Sequence, residues 1–434
     1  MKRDKSFREQ VFWMLDSFNG SPIKSALHET IAALNRNNDS NEAKTALEKL
    51  IKHATSTTGY YSSYSGDASI DEFPLINKNI IRDNLSQFLS SKCVINKCRK
   101  VSTSGSTGTP FSVYHNKQKT NKNKADNIYF SSKSGYTIGD YLIYIKIWPE
   151  SLNKLQSINL KVRNIHPHSV YDLSSENIED LIEKINSVDK NVALIGYASA
   201  FEKICKDLDS KSENLITFRP TSIITISEAL NSYTRNAIKK HFGIYPISRY
   251  SNNENGIIAQ QISSDNPNFK INTSSYLVEM FDLNQDNKIG FGQRGRIVIT
   301  DLYNYATPLI RYDTGDVGIM HLDENNQPYF SQVLGRKLDL IYDTKGNLVP
   351  EHLSAKLCNY GQFKQFQLVQ KKRKEYLINL NTTKKVDEER MITEYKGYFG
   401  DDAKININYV DEIPLLRSGK RQEVVNEYYA KKSR

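Results

Sequence analysis

Cysteine is scarce in this chain, with four among 434 residues, and long apolar runs are missing altogether. Four cysteines cannot staple a chain of that length, and Cys93 and Cys98 lack a second pair at zinc-ribbon spacing. A disulfide framework and a structural metal are therefore excluded, and a reducing compartment is implied. The short run VFWML lies between Glu9 and Asp16, and no later segment approaches the ~20 apolar residues of a membrane span, so a cytoplasmic protein is expected. The one dense basic stretch, Asn116–Lys124 (NKQKTNKNK), lacks an aromatic on which a base could stack. It reads as a solvated loop. The net charge of +10 is otherwise scattered, which suits binding of small anions better than a nucleic-acid partner. No internal repeat is present.

What the chain does have is length, aromatics and pattern. Only 38% of residues are apolar, yet aromatics make up 10%, 26 of them tyrosine, which takes the chain out of the disordered class. Its length exceeds what one core serves, so two domains are expected. Apolar residues at helical spacing (Phe12, Leu15, Phe18; Ile23, Leu27, Ile31, Leu34; Leu47, Leu50, Ile51) predict a helical opening, and FPLINKNIIRDNL predicts another helix behind Pro74. DYLIYIKIW, NVALIGY and TSIITI predict buried strands, with helices over Ile178–Ile185, Ala200–Leu208 and Tyr233–Phe242 between them. The fold class is α/β: a large domain, 1–335, with a mainly parallel core plus a β subdomain over Tyr276–Gly318, and a small α+β domain, 336–434. In the latter, LDLIYD, KEYLINLN and KININYV predict strands and VDEERMITEYKGYF a helix.

Four segments carry chemistry. VSTSGSTGTPFSVYH offers Ser and Thr hydroxyls and unshielded glycine N–H groups over Ser102–Gly108, a loop able to wrap phosphate oxygens or, on composition alone, to serve as a surface linker. No Gly-Lys-Ser/Thr follows, so it is not a Walker loop and a phosphate lysine must come from elsewhere. In RYSNNENG, Glu254 sits in a polar turn behind a strand, where it either faces solvent or gives Mg2+ one ligand while phosphates and water supply the rest. In PLIRYDTGD, Asp316 follows a Thr-Gly turn, as a structural turn residue or as an acceptor for two ribose hydroxyls. IPLLRSGKRQ ends in Lys420, which has the reach to enter a distant site; with Arg417 and Arg421 it reads equally as a basic tail.

Taken in order, these segments resemble the adenylate-forming superfamily of acyl-CoA synthetases, in its short phenylacetate-CoA ligase-like branch. STSGSTGTP looks like the family's phosphate loop, ITISEAL its adenine-side turn, and YSNNENG its Tyr-x-x-x-Glu-x-Gly turn; PLIRYDTGD, LGRKLDLI and the final SGK complete the series. FPLINKNIIRDN, IKIWPES, LIGYASAFEKI and VITDLYNYATPLIRY are similar to proteins of capsular polysaccharide and O-antigen gene clusters.

The resemblance implies that ATP, Mg2+ and coenzyme A are the cofactors, with a small carboxylic or amino acid as substrate. Ser104, Gly105, Ser106, Thr107 and Gly108 would bind the β- and γ-phosphates. Ser227, Glu228 and Ala229 would flank adenine with Tyr250, Asp316 with Arg336 would hold ribose, and Glu254 would ligate Mg2+. Lys420 would be the adenylation lysine on a mobile C-terminal domain, with the joint near Gly335–Arg336. Leu338 replaces a charged residue after Gly-Arg, which puts the hinge at Lys337 or Asp339. Trp148, Tyr197, Ala198 and Ile224 end apolar strands beside the motifs and are candidates for the acyl pocket, or equally for core. IKIWPES stands where relatives carry a Gly-rich acyl-pocket segment, and Asn272–Ser275 stand where phenylacetate ligases have acidic residues, so phenylacetate is not the expected acid. The acceptor is coenzyme A or, in an alternative reading, an amine or hydroxyl on a sugar or carrier; a third reading is a non-catalytic relative of the fold.

Overall fold

A computed structural model describes residues 6–35, 41–103, 111–149, 151–188, 191–211, 215–336, 340–347, 349, 365–382, 385–414 and 424–428. Packing divides the chain between Val333 and Leu334 into a large first unit and a small second one. The first opens with helices α1 (Phe7–Phe18), α2 (Pro22–Asn35) and α3 (Asn41–Thr57), then the short α4 (Lys78–Asp83) and α5 (Leu85–Phe88). The Asn77 side chain accepts from the N–H groups of Asn79 and Ile80, so α4 starts at Lys78 and not directly behind Pro74. Leu50, Ile51 and Ala54 of α3 pack with Phe73, Ile81 and Phe88 against a hairpin of β1 (Arg99–Thr103) and β2 (Phe111–His115).

Next come α6 (Lys117–Lys133), β3 (Tyr141–Lys146), α7 (Lys154–Val162), β4 (Ile165–Ser169), α8 (Ser175–Asn186), β5 (Val192–Tyr197), α9 (Ala198–Asp209), β6 (Ser222–Ile226), α10 (Ser232–Phe242) and β7 (Ile247–Asn252). Strands β4, β3, β5, β6 and β7 pair in that order, all parallel. Alternate residues serve opposite faces, as a strand's period of two requires. Ile143, Leu194 and Ile223 pack with Leu181, Phe201 and Ile238 of the helices, while Leu142, Ala193 and Ile224 fill the other side.

The sheet does not stop at β7. That strand pairs antiparallel with β8 (Gly256–Ser263), and β9 (Asn266–Ile271), β13 (Pro328–Arg336), β12 (Tyr312–Leu322), β11 (Arg294–Asp301) and β10 (Tyr276–Phe281) follow outward. The expected β subdomain is thus the antiparallel half of one 11-stranded sheet. The second unit orders four strands as β16 (Lys404–Tyr409), β15 (Glu375–Asn381), β14 (Gln365–Lys372) and β17 (Val424–Asn426). Helix α11 (Glu388–Phe399) buries Met391, Tyr395 and Phe399 with Leu368, Ile378 and Leu380 of that sheet.

Two expectations are overturned. Residues 116–124 are not a solvated loop: all but Asn116, the N-cap, lie in α6, where Lys119 is 0% exposed and Lys122 1%. Lys119 pairs with Asp301 at 2.6 Å and Lys122 with Asp126 at 2.7 Å, so the inward face of the helix is polar and gives no apolar period. LDLIYD forms no strand over its described part, Leu340–Asp343, which carries only a bridge at Tyr342. There Tyr342 is fastened by side chains instead, its N–H bonded to Gln370 Oε1 at 3.0 Å and its carbonyl accepting from the Tyr376 hydroxyl at 2.6 Å.

Candidate active site

Parallel strands present their carboxyl ends along one edge, where ligands of open α/β sheets bind. On that edge β3 ends at Lys146, β5 at Tyr197, β6 at Ile226 and β7 at Asn252. Ser227, directly after β6, holds φ at +73°, a left-handed conformation costly for a residue with a side chain. The next residue, Glu228, accepts the Ser199 N–H at 2.9 Å and so caps α9 in its first turn. Strand ends β5 and β6 are locked together by that bond.

Glu254 occupies the turn between β7 and β8 and is 1% exposed, which a solvent-facing turn residue would not be. Its Oε1 accepts from the Tyr312 hydroxyl at 2.7 Å and meets Lys78 Nζ at 3.1 Å. Its Oε2 is buried without a hydrogen-bond partner among the described residues. Such an oxygen is costly to bury unless something binds it. Behind the carboxylate, the Glu254 carbonyl lies 2.8 Å from His115 Nε2. Burial first, then the Lys119 charge, push the His115 imidazole down to about 4, so it is neutral at pH 7 and donates from Nε2.

The turn is also held from below. Lys119 donates to the Tyr276 hydroxyl at 3.1 Å, and that hydroxyl donates to the Asn255 carbonyl at 2.6 Å. Gly256 closes the turn at φ +115°, where an added Cβ would meet Asn123 Oδ1 at 2.8 Å. Only glycine fits both the dihedral and the space.

Tyr312, Thr314 and Asp316 lie close together on β12, where the register against β11 shifts and Gly315 holds φ at +78°. The Tyr250 hydroxyl donates to Asp316 Oδ2 at 2.7 Å, and Thr314 Oγ1 accepts the Asp316 N–H at 3.1 Å while donating to the Ile297 carbonyl at 2.9 Å. Burial, then the Asp316 charge, hold the Tyr250 hydroxyl well above its usual range, so it stays a donor. The strand is anchored by Arg311, itself at φ +52°, whose guanidinium bonds both Glu279 oxygens at 3.3 and 3.2 Å and the Phe73 carbonyl at 2.9 Å.

The structure therefore brings Glu254, Tyr250 and Asp316 together through Tyr312 and Thr314, and sets Ser227, Glu228 and Ala229 at the neighbouring strand end. Trp148 follows β3 and donates from Nε1 to the Tyr144 carbonyl at 2.8 Å. Tyr197 ends β5, Ala198 begins α9, and Ile224 is 0% exposed in the core. Arg336 ends β13 in the second unit. Ser104, Gly105, Ser106, Thr107, Gly108, Lys420 and the hinge candidates Lys337 and Asp339 lie outside the described residues. Sequence reasoning missed Lys78, His115 and Tyr312. The period of two in Tyr312, Thr314 and Asp316 was a usable signal for the last; nothing local marked Lys78.

Residues 340–427 match the family described as the CapK C-terminal domain. Over 378 residues the chain is 25% identical to Protein CapK from Staphylococcus aureus, covering 83% of this chain and 80% of that one. The chain is a CapK homologue. In three dimensions it is similar to 2-hydroxyisobutyryl-CoA ligase in the postadenylation state in complex with 2-HIB-AMP, with a TM-score of 0.66 at 15% identity over 90% of each chain. It is similar also to the amide bond synthetase McbA from Marinactinospora thermotolerans, with a TM-score of 0.51 at 14% identity over 74% of this chain and 67% of that one. The CapK homologue has the adenylate-forming ligase fold, a large parallel-rich sheet with a small C-terminal domain. None of its described helices is long and apolar enough to cross a membrane.

Proposed function

We propose that this CapK homologue uses ATP to activate a small carboxylic acid as acyl-AMP and then transfers the acyl group to coenzyme A. The observation that carries the reading is Glu254: a buried carboxylate, fixed at Oε1 by Tyr312 and Lys78, with Oε2 unpartnered among the described residues at the carboxyl edge of the sheet. That oxygen fits a cation, and Mg2+ held there would neutralise phosphate charge. Asp316, its Oδ2 shared with Tyr250, is the acceptor for the ribose hydroxyls, Arg336 their second contact, and the 104–108 loop the phosphate cradle.

In the first half-reaction a carboxylate oxygen of the acid attacks the α-phosphorus, the bond from that phosphorus to the bridging oxygen breaks, and pyrophosphate leaves. Lys420 stabilises the charge that develops on the α-phosphate. In the second, the thiolate of coenzyme A attacks the acyl carbon, and AMP departs with the electron pair of the C–O bond. Between the two, the second unit rotates about the joint near Gly335–Arg336 and withdraws Lys420. The resemblance of segments such as IKIWPES and LIGYASAFEKI to proteins of capsular polysaccharide and O-antigen gene clusters supports a role for the product in building such a polysaccharide, and the protein works in the cytoplasm.

Carboxylate-dependent exchange between ATP and labelled pyrophosphate tests the proposal. Lys420→Ala and Glu254→Gln should each lower it by roughly a hundredfold or more while the fold survives. Undiminished exchange in Lys420→Ala removes that lysine from the mechanism. Dependence of AMP release on coenzyme A, against hydroxylamine or amino sugars, decides the acceptor.

A further inference from the structure

Lys146 is the last residue of β3, on the same edge of the sheet as the Glu254 turn. Its ammonium lies 4.3 Å from the centre of the Trp148 ring and 4.8 Å from that of Tyr144. The two rings meet edge to face, and the bond from Trp148 Nε1 to the Tyr144 carbonyl fixes the indole. The cage is thus built in advance, and each ring face attracts the cation.

Among the described residues the ammonium has no carboxylate partner. Three other shielded lysines do: Lys119 has Asp301, Lys122 has Asp126, Lys211 has Glu179 and Asp207, while the part-buried Lys270 is held by the Leu34 carbonyl at 2.7 Å. Burial alone accounts for the lowering of the Lys146 ammonium below its usual range. A half-buried charge with only aromatic partners is costly unless a ligand supplies the counter-charge.

There is room for one. Lys146 and Trp148 line an open hollow of about 520 Å³ together with Leu152, Leu155, Gln156 and Asn159. That volume suits a small molecule. One wall is apolar and the other offers two side-chain amides one helical turn apart on α7. The Tyr197 hydroxyl meets the Ile147 backbone, which ties the hollow to the end of β5, and α9 beyond it is capped by Glu228. The hollow therefore adjoins the residues assigned above to the nucleotide.

We propose that this hollow takes the acid to be activated, and that Lys146 selects an acid carrying a second anionic group, a carboxylate or a phosphate ester, remote from the carboxylate that reacts. The inference rests on the adenylation reading above and deepens it. Selection works by mutual need. A mono-acid leaves the ammonium without its counter-charge, whereas a di-anion provides it, and the difference appears as discrimination between substrates.

The experiment measures pyrophosphate exchange with acids matched in length: glutarate against pentanoate, succinate against butyrate, and phosphoglycolate against glycolate. The di-anions should be preferred by roughly tenfold to a hundredfold in kcat/KM. The succinate and phosphoglycolate arms separate carboxylate from phosphate as the second group. Lys146→Met keeps the apolar stem and the cage, and should remove most of that preference by raising KM for the di-anion with KM for ATP unchanged. Lys146→Arg should restore it. Preference for the mono-acids in the native protein, or a Lys146→Met preference equal to the native one, overturns the inference while leaving adenylation intact. A Lys146→Met defect in KM for coenzyme A in place of the acid also overturns it. If no acid in a wide screen supports exchange, the adenylation reading itself fails.

Discussion

At the scale of single residues, His115 shows how a buried neutral group makes stability depend on pH. The folded imidazole titrates near 4 against a usual 6.5. Between those values the unfolded state holds more protons, so stability falls as pH drops from 6.5 to 4 and this contribution is constant outside that window. The loss at saturation is on the order of 3 kcal/mol. His115→Gln keeps a side-chain donor for the Glu254 carbonyl but cannot titrate. Urea unfolding midpoints should therefore vary less with pH in this variant, without becoming flat, because burial also lowers His53, His166 and His168. A slope equal to that of the native protein would show that His115 is not buried neutral.

At the scale of elements, α6 explains most of what the sequence did and did not disclose. Strands β3, β5 and β6 were legible as short apolar runs buried on both faces, and helices α8, α9 and α10 because each buries a periodic apolar face. Helix α6 was not, because NKQKTNKNK turns Lys119 and Lys122 inward onto carboxylates, and a polar buried face mimics a solvated one. For the same reason the candidate site was legible as a set of segments and not as a network. Glu254, Tyr250 and Asp316 stood in motifs, whereas Lys78 and His115 reach the Glu254 turn across more than a hundred residues of sequence. The energetic contrast is testable. Lys119→Met leaves Asp301 charged and unpaired at 0% exposure, which should cost about 3–5 kcal/mol in chemical denaturation. Lys117→Met, on the exposed face of the same helix, should change stability by under ~0.5 kcal/mol. Adding Asp301→Asn to Lys119→Met should recover much of the loss, since the amide still accepts the Tyr303 N–H that Asp301 Oδ1 accepts at 3.1 Å. Equal effects of the two lysine substitutions would contradict the burial of Lys119.

At the scale of the whole molecule, the chain forms two units with separate cores, and the backbone at the boundary between them is specialised. Gly335 holds φ at +81°, and a Cβ there would meet no atom of the described residues within 4 Å. Conformation, not space, is what the position demands. Gly335→Ala should be tolerated with about 1 kcal/mol of strain, whereas Gly335→Pro fixes φ near −65° and forbids the native value. Under the proposed rotation, Gly335→Pro should slow acyl transfer more than tenfold while leaving pyrophosphate exchange within a few-fold of native. Quenched-flow separation of acyl-AMP formation from AMP release would measure both, and parallel losses in the two steps would dismiss this joint as the pivot.

Strand β7 has a consequence for the order in which the chain folds. It pairs with β6 through Ile224 and Thr225 on one side and with β8 through Gln260 on the other, so the two halves of the sheet share it. The antiparallel half is closed by β13 returning to β9, a pairing that spans a long loop of chain and forms late for that reason. Tyr312, which fastens Glu254, arrives on β12 immediately before that closure. A refolding chain should therefore regain circular dichroism from its helices and parallel strands well before Tyr312 fastens Glu254, and in a nascent chain leaving the ribosome that carboxylate stays unfastened until the residues that close the sheet, up to about 330, have emerged.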